Sequence, residues 1–433
     1  MILRDPVHGL VSFEADEYAI VPRLLETREL QRLRRIRQLG LTSLAYPGAD
    51  HKRFSHAIGA AHVMTRFVAR LQQIQNDLPF WQRLTTERAR DAVSAALLHD
   101  VGHGPFSHLF EEALPQSPKH EVWTERILSD PDSEVHRVMV AADPSLPARV
   151  CDLIRGQHHI TYLQHIVSGN FDVDRCDYLL RDAHFTGVSY GHFDLDWLLR
   201  SLRFGEPEGP DRAPALAIDG ARGVPAIESF VMARLFMFQQ VYFHKASRAA
   251  DWMLTKIIGR VRDLLLDGVP LPHVPPALSD LVLGDDTTVE RYLDVDDSTL
   301  WYAIRAWRST KDKVLADLCR RIYDRHLLKT YELFGPEGMR APYDQLLDVA
   351  RELSSKAGLD PETYVGIDRA GLIPYDDTKE SLLVLFPNNR PQPPHHVSYL
   401  LRRLQGERLE RTRLIFPAEI RPQLLEAVEQ RRR

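Results

Sequence analysis

Residues 92–112, AVSAALLHDVGHGPFSHLFEE, are the stretch that decides the fold and the chemistry expected of this chain. The stretch opens with an apolar run rich in alanine and leucine, which is typical of a buried helix. Where that helix should end, His99 and Asp100 stand side by side, and His103 and His108 follow closely. Burying an imidazole beside a carboxylate is costly unless something compensates the lost hydration. A divalent cation would compensate it, because both groups are metal ligands.

The same stretch has a purely structural alternative. A histidine near a helix C-terminus favours the helix dipole, and Gly102 and Pro105 are typical residues just beyond a helix end. That alternative explains one histidine beside one aspartate. Three histidines, one aspartate and two glycines within residues 99–108 favour a metal site instead.

Composition places the chain among ordinary globular proteins. Its 433 residues are 44% hydrophobic and 27% charged with a formal net charge of −5, so no overall attraction to nucleic acid or anionic membranes is expected. The three cysteines form no CxxC pair, which argues against a disulfide framework or a zinc knuckle. No signal-peptide core and no apolar run of about 18 residues is present. We therefore expect a cytoplasmic protein without membrane contact.

Hydrophobic periodicity predicts a mostly α-helical fold. One helix is expected over residues 29–40, with its leucines on the buried face and the arginines of residues 32–37 on the solvated face. A long helix over 51–74 carries His56 and Gly59 on one stripe, where small residues would let another helix approach closely. Further helices are predicted over residues 87–101, 119–130, 147–157, 160–168 and 171–185.

The second half of the chain predicts a smaller mixed region. Residues 202–225 are expected to hold a short hairpin, residues 229–258 one long buried helix, and residues 299–325 another helix. Residues 361–387 resemble strand material, residues 388–396 an exposed loop, and the prolines after residue 271 a boundary. We therefore predict a helical core over 1–268 and a mixed α/β region over 269–433.

The candidate ligands follow an H…HD…D order on separate predicted helices: His56, then His99 with Asp100, then Asp174. Packing those helices into a bundle would bring the four side chains around one cation. This order resembles the HD superfamily of metal-dependent phosphohydrolases. The flanking sequences resemble the deoxynucleoside triphosphate (dNTP) triphosphohydrolases of the sterile-alpha-motif/HD type and their bacterial relatives: DPVHG (5–9), HKRFSHAIG (51–59), LLHDVGHGPFSH (97–108), FDVDRCDYLLRD (171–182) and VYFHK (241–245).

The resemblance implies an HD-domain helical bundle that holds one divalent metal through His56, His99, Asp100 and Asp174. Iron, manganese, zinc, nickel and magnesium all suit two imidazoles and two carboxylates. It also implies that His120 is a general acid or base oriented by Glu111, with His103 and His108 along the phosphate path.

The resemblance further implies a dNTP substrate that is hydrolysed to deoxynucleoside and inorganic triphosphate. In the family, Asp182 accepts a hydrogen bond from the sugar 3′-hydroxyl, and Tyr178 packs where a 2′-hydroxyl would clash. The residues that match substrate contacts of the family are Gln38, Arg53, Arg175, Tyr178, Asp182, Arg234 and Tyr242.

A nucleotide activator and a homo-oligomer, dimer or tetramer, are also implied. The residues that match the family's activator site are Glu26, Gln31, Arg34 and Arg222. Trp197 and Gly220 depart from the family pattern, because the family has basic residues at these two positions that bind the activator.

Two other hypotheses remain open at this point. Phe238 and Phe243 replace polar residues of the family's nucleoside pocket, so an HD enzyme could act on a nucleoside monophosphate, a cyclic dinucleotide or an alarmone instead. Alternatively, the arginines of residues 32–37 and the C-terminal triplet 431–433 could serve a non-catalytic module that binds single-stranded nucleic acid.

Overall fold

The computed structural model describes residues 1–14, 16–115, 117–205, 215–284, 286–333, 340–376, 382–386 and 391–432. Over these residues the chain is mostly α-helical with three small sheets. The mostly α fold with a smaller mixed region that the sequence predicts is therefore confirmed.

The helices up to residue 201 form the bundle around the candidate ligands. They are α1 (Ile20–Leu25), α2 (Arg28–Arg32), α3 (Arg53–Ile74), α4 (Thr86–Leu98), α5 (His108–Ala113), α6 (His120–Ser129), α7 (Glu134–Ala142), α8 (Leu146–Ile154), α9 (Thr161–Ser168), α10 (Val173–Thr186) and α11 (Leu195–Ser201).

The later helices continue the bundle and then border the C-terminal sheet. They are α12 (Val224–Met237), α13 (Lys245–Leu266), α14 (Pro276–Leu283), α15 (Val289–Leu293), α16 (Asp297–Trp307), α17 (Lys313–Tyr323), α18 (Arg340–Lys356), α19 (Pro361–Tyr364), α20 (Pro394–Val397), α21 (Tyr399–Leu404) and α22 (Arg421–Arg432).

The strands form three separate sheets. They are β1 (Ile2–Asp5), β2 (Gly9–Ser12), β3 (Leu202–Gly205), β4 (Ala215–Asp219), β5 (Lys329–Glu332), β6 (Gly366–Leu372), β7 (Leu383–Leu385) and β8 (Leu409–Phe416). β1 and β2 form an antiparallel hairpin, and β5, β8 and β6 form an antiparallel sheet in that order. β3 and β4 form the hairpin expected over 202–225, and β7 pairs in parallel with β4.

Helices α3, α4 and α10 pack together and carry the candidate metal ligands. Residues 92–98 of α4 are all buried, and all of them except Ser94 are apolar. Gly59 of α3 faces α10 so closely that a Cβ there would lie 1.9 Å from Asp177 Oδ1. No real Cβ atom approaches an oxygen so closely, so only glycine fits at this crossing. The stripe of small residues on α3 therefore admits α10, as its spacing predicts.

The single helix expected over 29–40 is wrong. Helix α2 ends at Arg32, a 3₁₀ turn spans Leu33–Arg35, and Ile36 is extended. Arg32 is 1% exposed and its guanidinium donates to the carbonyl oxygens of Val295 and His103, at 2.7 Å each. These tertiary hydrogen bonds override the local helical pattern.

The arginines of residues 32–37 are therefore not one solvated basic face. Arg35 pairs with Asp296 at 2.5 Å, and Arg37 pairs with Asp50. Arg433 of the C-terminal triplet lies outside the described residues, and the side chains at 431 and 432 are not described. The paired arginines remove most of the free positive charge on which the nucleic-acid hypothesis depends.

The long helix expected over 229–258 is interrupted. Helix α12 ends at Met237, a π-helical turn spans Phe238–Tyr242, and α13 begins at Lys245. The ring of His244 accepts a hydrogen bond from the Ala246 N–H at 3.3 Å and so caps α13. His244 therefore has a structural role, and its cap explains why one apolar run becomes two helices.

The helix expected over 299–325 is also two helices, α16 and α17. Asp312 begins the second one by accepting from the Leu315 N–H at 2.8 Å. The loop expected over 388–396 is wrong in its later part, where Pro394 is buried at the start of α20. Residues 388–390 lie outside the described residues.

One hydrophobic cluster runs through both parts of the chain. It contains Val63 of α3 and Ile304 of α16, and extends to Ile415 of β8. A second cluster lies between α18, α22 and the β5–β8–β6 sheet. The division at residue 268 stays a prediction. Within the described ranges, no helix combines the length and apolar character that crossing a bilayer requires.

Candidate metal and catalytic site

Three side chains from three helices converge at the centre of the bundle. The ligand atoms of His56 on α3, His99 at the end of α4 and Asp174 on α10 all lie within 4.8 Å of one another. His56 Nε2 lies 3.0 Å and His99 Nε2 lies 3.5 Å from Asp174 Oδ1. Asp100 joins this group, with carboxylate oxygens 3.6 Å from His56 Nε2 and 3.3 Å from His99 Nε2.

Each imidazole is oriented through its other nitrogen. His56 Nδ1 lies 2.7 Å from Asp177 Oδ2, and His99 Nδ1 lies 2.9 Å from the Ala96 carbonyl oxygen. A carbonyl oxygen can only accept, so His99 carries its proton on Nδ1 and directs the Nε2 lone pair toward the group. The structure thus holds both rings in the orientation that metal ligation needs.

The donor set fits a divalent cation. Both Nε2 atoms are buried and have no hydrogen-bond partner among the described residues. Although burial lowers the pKa of His56, the carboxylates of Asp174 and Asp177 close to its ring raise that pKa to about 10. A proton therefore occupies the ring when no cation is bound, and metal binding would release it.

Asp177 anchors this arrangement from behind. It receives both Arg181 Nε and Nη2, at 2.8 and 2.9 Å, and its Oδ1 lies 2.7 Å from His8 Nε2. Arg181 also donates to Asp5 of the β1–β2 hairpin at 2.8 Å. Burial alone would raise the pKa of Asp177, but Arg181, His56 and His8 hold it well below its usual range. Asp177 is thus a charged acceptor for His56.

A second cluster lies next to the first and contains the candidate acid or base. Its ligand-type atoms belong to His103, His108, Glu111 and His120, and all lie within 4.8 Å of one another. His120 Nδ1 lies 2.7 Å from Glu111 Oε1, which leaves Nε2 to carry a transferable proton. His103 stacks on His120 with ring centroids 3.7 Å apart, and His103 Nε2 lies 3.3 Å from Asp100 Oδ1.

Two neighbours of His120 are kept neutral. Burial and the Arg53 charge hold the pKa of His103 well below its usual value, and the same two causes lower the pKa of His108. Glu111 has a lowered pKa, because the interaction with His120 outweighs the effect of burial. Glu111 is thus a charged partner for the Nδ1 atom of His120.

The segment Gly-His-Gly-Pro at residues 102–105, which follows the end of α4, positions this second cluster. Gly102 touches α6 so closely that a Cβ would lie 2.3 Å from the His120 carbonyl oxygen. Phe106 and Ser107 then take positive φ values of 55° and 60°, which are strained for residues other than glycine. Ser107 Oγ accepts from Arg53 Nε at 2.7 Å and donates to the Arg37 carbonyl oxygen at 2.9 Å.

Helix α10 carries a polar wall one turn beyond Asp174. Tyr178 and Asp182 follow Asp174 at four-residue spacing and lie along one side of the helix. The Tyr242 hydroxyl donates to Asp182 Oδ2 at 2.7 Å, and His51 Nε2 lies 2.8 Å from Asp182 Oδ1. The π-helical turn at the end of α12 is what brings Tyr242 to this carboxylate.

The three arginines among the remaining predicted substrate residues already have partners within the chain. Arg53 pairs with Asp100, and Arg175 pairs with Asp172 and the Gly169 carbonyl oxygen. Arg234 donates to the Pro374 carbonyl oxygen at 3.1 Å, so the C-terminal part of the chain borders this side of the site. Gln38 Oε1 is buried without a hydrogen-bond partner.

The predicted activator residues fall in two places. Gln31 and Arg34 are bonded to each other at 2.8 Å, and Glu26 is exposed at the end of α1 nearby in the chain. Arg222 lies in the turn after β4, where its carbonyl oxygen accepts from the Trp197 indole N–H at 2.8 Å. The described contacts do not join these two groups within one chain.

Several residues of the site carry no role in the sequence prediction. Asp5, His8, Asp177 and Arg181 orient His56, and His51 contacts Asp182. The one available signal is that Asp177 and Arg181 follow Asp174 at helical spacing on a helix rich in acids.

The comparisons with known proteins agree with this geometry. The HD domain model matches residues 53–182, and the HD associated region model matches residues 193–264. The chain is 34% identical over 426 residues to the uncharacterized protein YwfO of Bacillus subtilis, covering 97% of this chain and 92% of that protein. The chain belongs to the HD-domain family and is an HD-type phosphohydrolase.

Two further relatives place the chain within that family. The deoxynucleoside triphosphate triphosphohydrolase SAMHD1 of Bos taurus is 27% identical over 286 residues, covering 59% of this chain and 46% of that protein. A phosphohydrolase crystal structure from Bacteroides thetaiotaomicron has a TM-score of 0.78 at 28% identity, covering 96% of this chain and 99% of that one. The chain thus spans about half the length of the SAMHD1 relative and nearly all of the bacterial phosphohydrolase.

Proposed function

We propose that the protein is a metal-dependent dNTP triphosphohydrolase that converts a dNTP to a deoxynucleoside and inorganic triphosphate. The observation that carries the proposal is the order of side chains on α10. Asp174 belongs to the candidate metal group, and the Tyr178 and Asp182 wall follows one turn later. Side chains of one rigid helix would thus contact both the reacting phosphate, through the metal, and the deoxysugar.

The residues suggest how the reaction would proceed. Water attacks the α-phosphorus and loses a proton to the surrounding solvent, the bond from that phosphorus to O5′ breaks, and His120 donates a proton to the departing O5′ and regains one from solvent. Glu111 holds His120 in position through Nδ1. Arg53 is suited to phosphate oxygens by its planar fork, and Arg175 and Arg234 add positive charge on the side of Tyr178.

One divalent cation would be held by His56, His99, Asp100 and Asp174. When bound, it would supply Lewis-acid polarisation of the phosphate and could lower the pKa of a bound water. Asp174 is the most exposed of the four, with 31% of its side chain accessible, so substrate would reach the group from the α10 side.

The assembly and the compartment are part of the same proposal. A homo-oligomer would bring the activator residues Glu26, Gln31 and Arg34 of one subunit near Arg222 of another, which a single chain does not do. We also propose a cytoplasmic location, which fits reduced cysteines that are buried and unpaired.

The test is a substrate panel with the purified protein and Mn²⁺. Each of the four dNTPs should release inorganic triphosphate and the deoxynucleoside, with ribonucleotides reacting more slowly. The same panel includes deoxynucleoside monophosphates, cyclic dinucleotides and guanosine alarmones. Release of only pyrophosphate or orthophosphate, or turnover confined to another class, would refute the proposal.

A further inference from the structure

His51 is a buried histidine with no role in the reaction described above. Only 1% of its side chain is exposed. Its ring stacks on Phe185 of α10 with centroids 4.5 Å apart and an interplanar angle of 11°. Its Nε2 lies 2.8 Å from Asp182 Oδ1, and its backbone carbonyl oxygen accepts from the Gln38 N–H at 3.0 Å. His51 thus connects two residues of the expected sugar pocket.

Asp182 is held from two sides. The Tyr242 hydroxyl donates to one carboxylate oxygen and His51 contacts the other. Donors on both oxygens fix the plane of the carboxylate, which a single donor would leave free to rotate. A carboxylate oxygen has two lone-pair positions, so each oxygen can still accept from a ligand hydroxyl.

Two buried acceptor atoms, on His51 and Gln38, have no hydrogen-bond donor among the described residues. A neutral imidazole that donates from Nε2 has an acceptor at Nδ1, and His51 Nδ1 has no hydrogen-bond partner among the described residues. Gln38 Oε1 is in the same condition. Buried polar atoms are nearly always paired with protein, water or a ligand, so a hydroxyl group of water or of a ligand would satisfy these two acceptors.

We propose that His51 is a positioning residue that makes the enzyme selective for a sugar with a 3′-hydroxyl. It orients Asp182 so that the carboxylate accepts from this hydroxyl, while Phe185 holds the imidazole ring in place. The inference rests on the proposed function, because it assumes a deoxynucleotide in the pocket. The competing explanation is that His51 is only a packing residue against Phe185.

Two substitutions separate these explanations. His51→Leu keeps most of the packing volume but removes the donor, and His51→Gln keeps an N–H donor at about the position of Nε2. His158→Leu is a matched control, because His158 is also buried but its ring accepts only from the nearby Ile160 N–H among the bonds described.

The measurement is kcat/KM for a dNTP and for its 2′,3′-dideoxy analogue, with Mn²⁺ and each variant. In His51→Leu, kcat/KM for the dNTP should fall about 10- to 100-fold, as expected for a hydrogen bond to a charged group. The dideoxy analogue should lose far less, so the preference for the 3′-hydroxyl should shrink at least several-fold. His51→Gln should recover much of that preference, and His158→Leu should keep all of it.

Equal losses on both substrates, or an unchanged preference in His51→Leu, would overturn the inference and leave the proposed function standing. A wild-type protein that releases no triphosphate from any dNTP would overturn both. If His51→Leu does not fold, His51→Gln and His51→Met decide, because a positioning role predicts that only the variant with an N–H donor keeps the 3′-hydroxyl preference, whereas a packing role predicts that both keep it.

Discussion

The Asp177 carboxylate organises the candidate metal site without being one of its four candidate ligands. It binds His56, His8 and Arg181 at once, and all three contacts are buried. Such outer partners fix the tautomer and direction of a ligand imidazole and raise its basicity. The affinity of the site for a metal should therefore depend on a residue that would not itself touch the cation.

Replacing Asp177 by Asn should weaken metal binding about 10- to 100-fold, since the amide is a poorer acceptor and carries no charge to favour the His56 Nδ1–H. Metal affinity measured by competition with a chelator dye checks this. Asp196→Asn is the control, because Asp196 forms an exposed pair with Arg66. An Asp177→Asn protein with wild-type affinity would show that the contact is not needed to orient His56.

Replacing His120 by Ala should lower kcat by about 10²–10⁴ while leaving the metal content unchanged, because a general acid is lost and no ligand is removed. Single-turnover kinetics with metal analysis of the same sample separate the two effects. Full activity in this variant would remove His120 from the reaction, and loss of metal would assign it to the metal site instead.

At the level of residues, sequence reasoning reaches those side chains that stand in a motif. His99, Asp100, His103 and His108 attract attention because they crowd into ten residues. His51 and Asp177 do not, since one buried histidine or one acid on an acid-rich helix is an ordinary feature. Only the approach of α10 to Gly59 selects Asp177 as the carboxylate that faces His56.

At the level of elements, two short interruptions shape the site. The π-helical turn after α12 brings Tyr242 to Asp182, and the 3₁₀ turn after α2 leaves Arg32 buried against the chain at Val295 and His103. Periodicity in the sequence runs through both interruptions, because the hydrophobic residues keep helical spacing. The breaks come from distant hydrogen bonds that local pattern does not encode.

Replacing Arg32 by Met should destabilise the protein by about 2–5 kcal/mol. The substitution keeps the aliphatic volume but leaves the carbonyl oxygens of Val295 and His103 buried without a donor. Denaturant unfolding measures the loss. The control is Arg28→Met, because Arg28 lies on the same helix but its side chain is 44% exposed; it should change the free energy of unfolding by less than about 1 kcal/mol. Equal losses in the two variants would show that the buried hydrogen bonds of Arg32 do not stabilise the fold.

At the level of the whole molecule, the cation would act as a bond between separate parts of the chain. His56, His99 and Asp174 come from α3, α4 and α10, and the Asp5–Arg181–Asp177 network ties the N-terminal hairpin to the same point. The helical class was predictable from the sequence, and the three candidate ligands His56, His99 and Asp174 that the sequence names do lie close together. The β4–β7 pairing was not predictable, because more than 160 residues separate its partners and parallel register leaves no local signal.

Removing the metal should lower Tm, and the loss should depend on metal concentration. A cation present at about 1,000 times its Kd stabilises the folded state by about 4 kcal/mol. Thermal melts after chelation and after return of Mn²⁺ test this. A His56→Ala variant should melt at the same temperature with and without Mn²⁺. If Mn²⁺ raises the Tm of this variant as much as that of the wild type, the stabilising cation binds elsewhere.

The parallel pairing of β7 with β4 has a consequence for any shortened version of this protein. A chain cut before residue 383 would leave Ala217–Asp219 of β4 as an exposed strand edge, with unpaired backbone donors and acceptors. Exposed margins of this kind recruit strands from other molecules. Truncation would therefore promote self-association and precipitation, even though every candidate ligand precedes the cut.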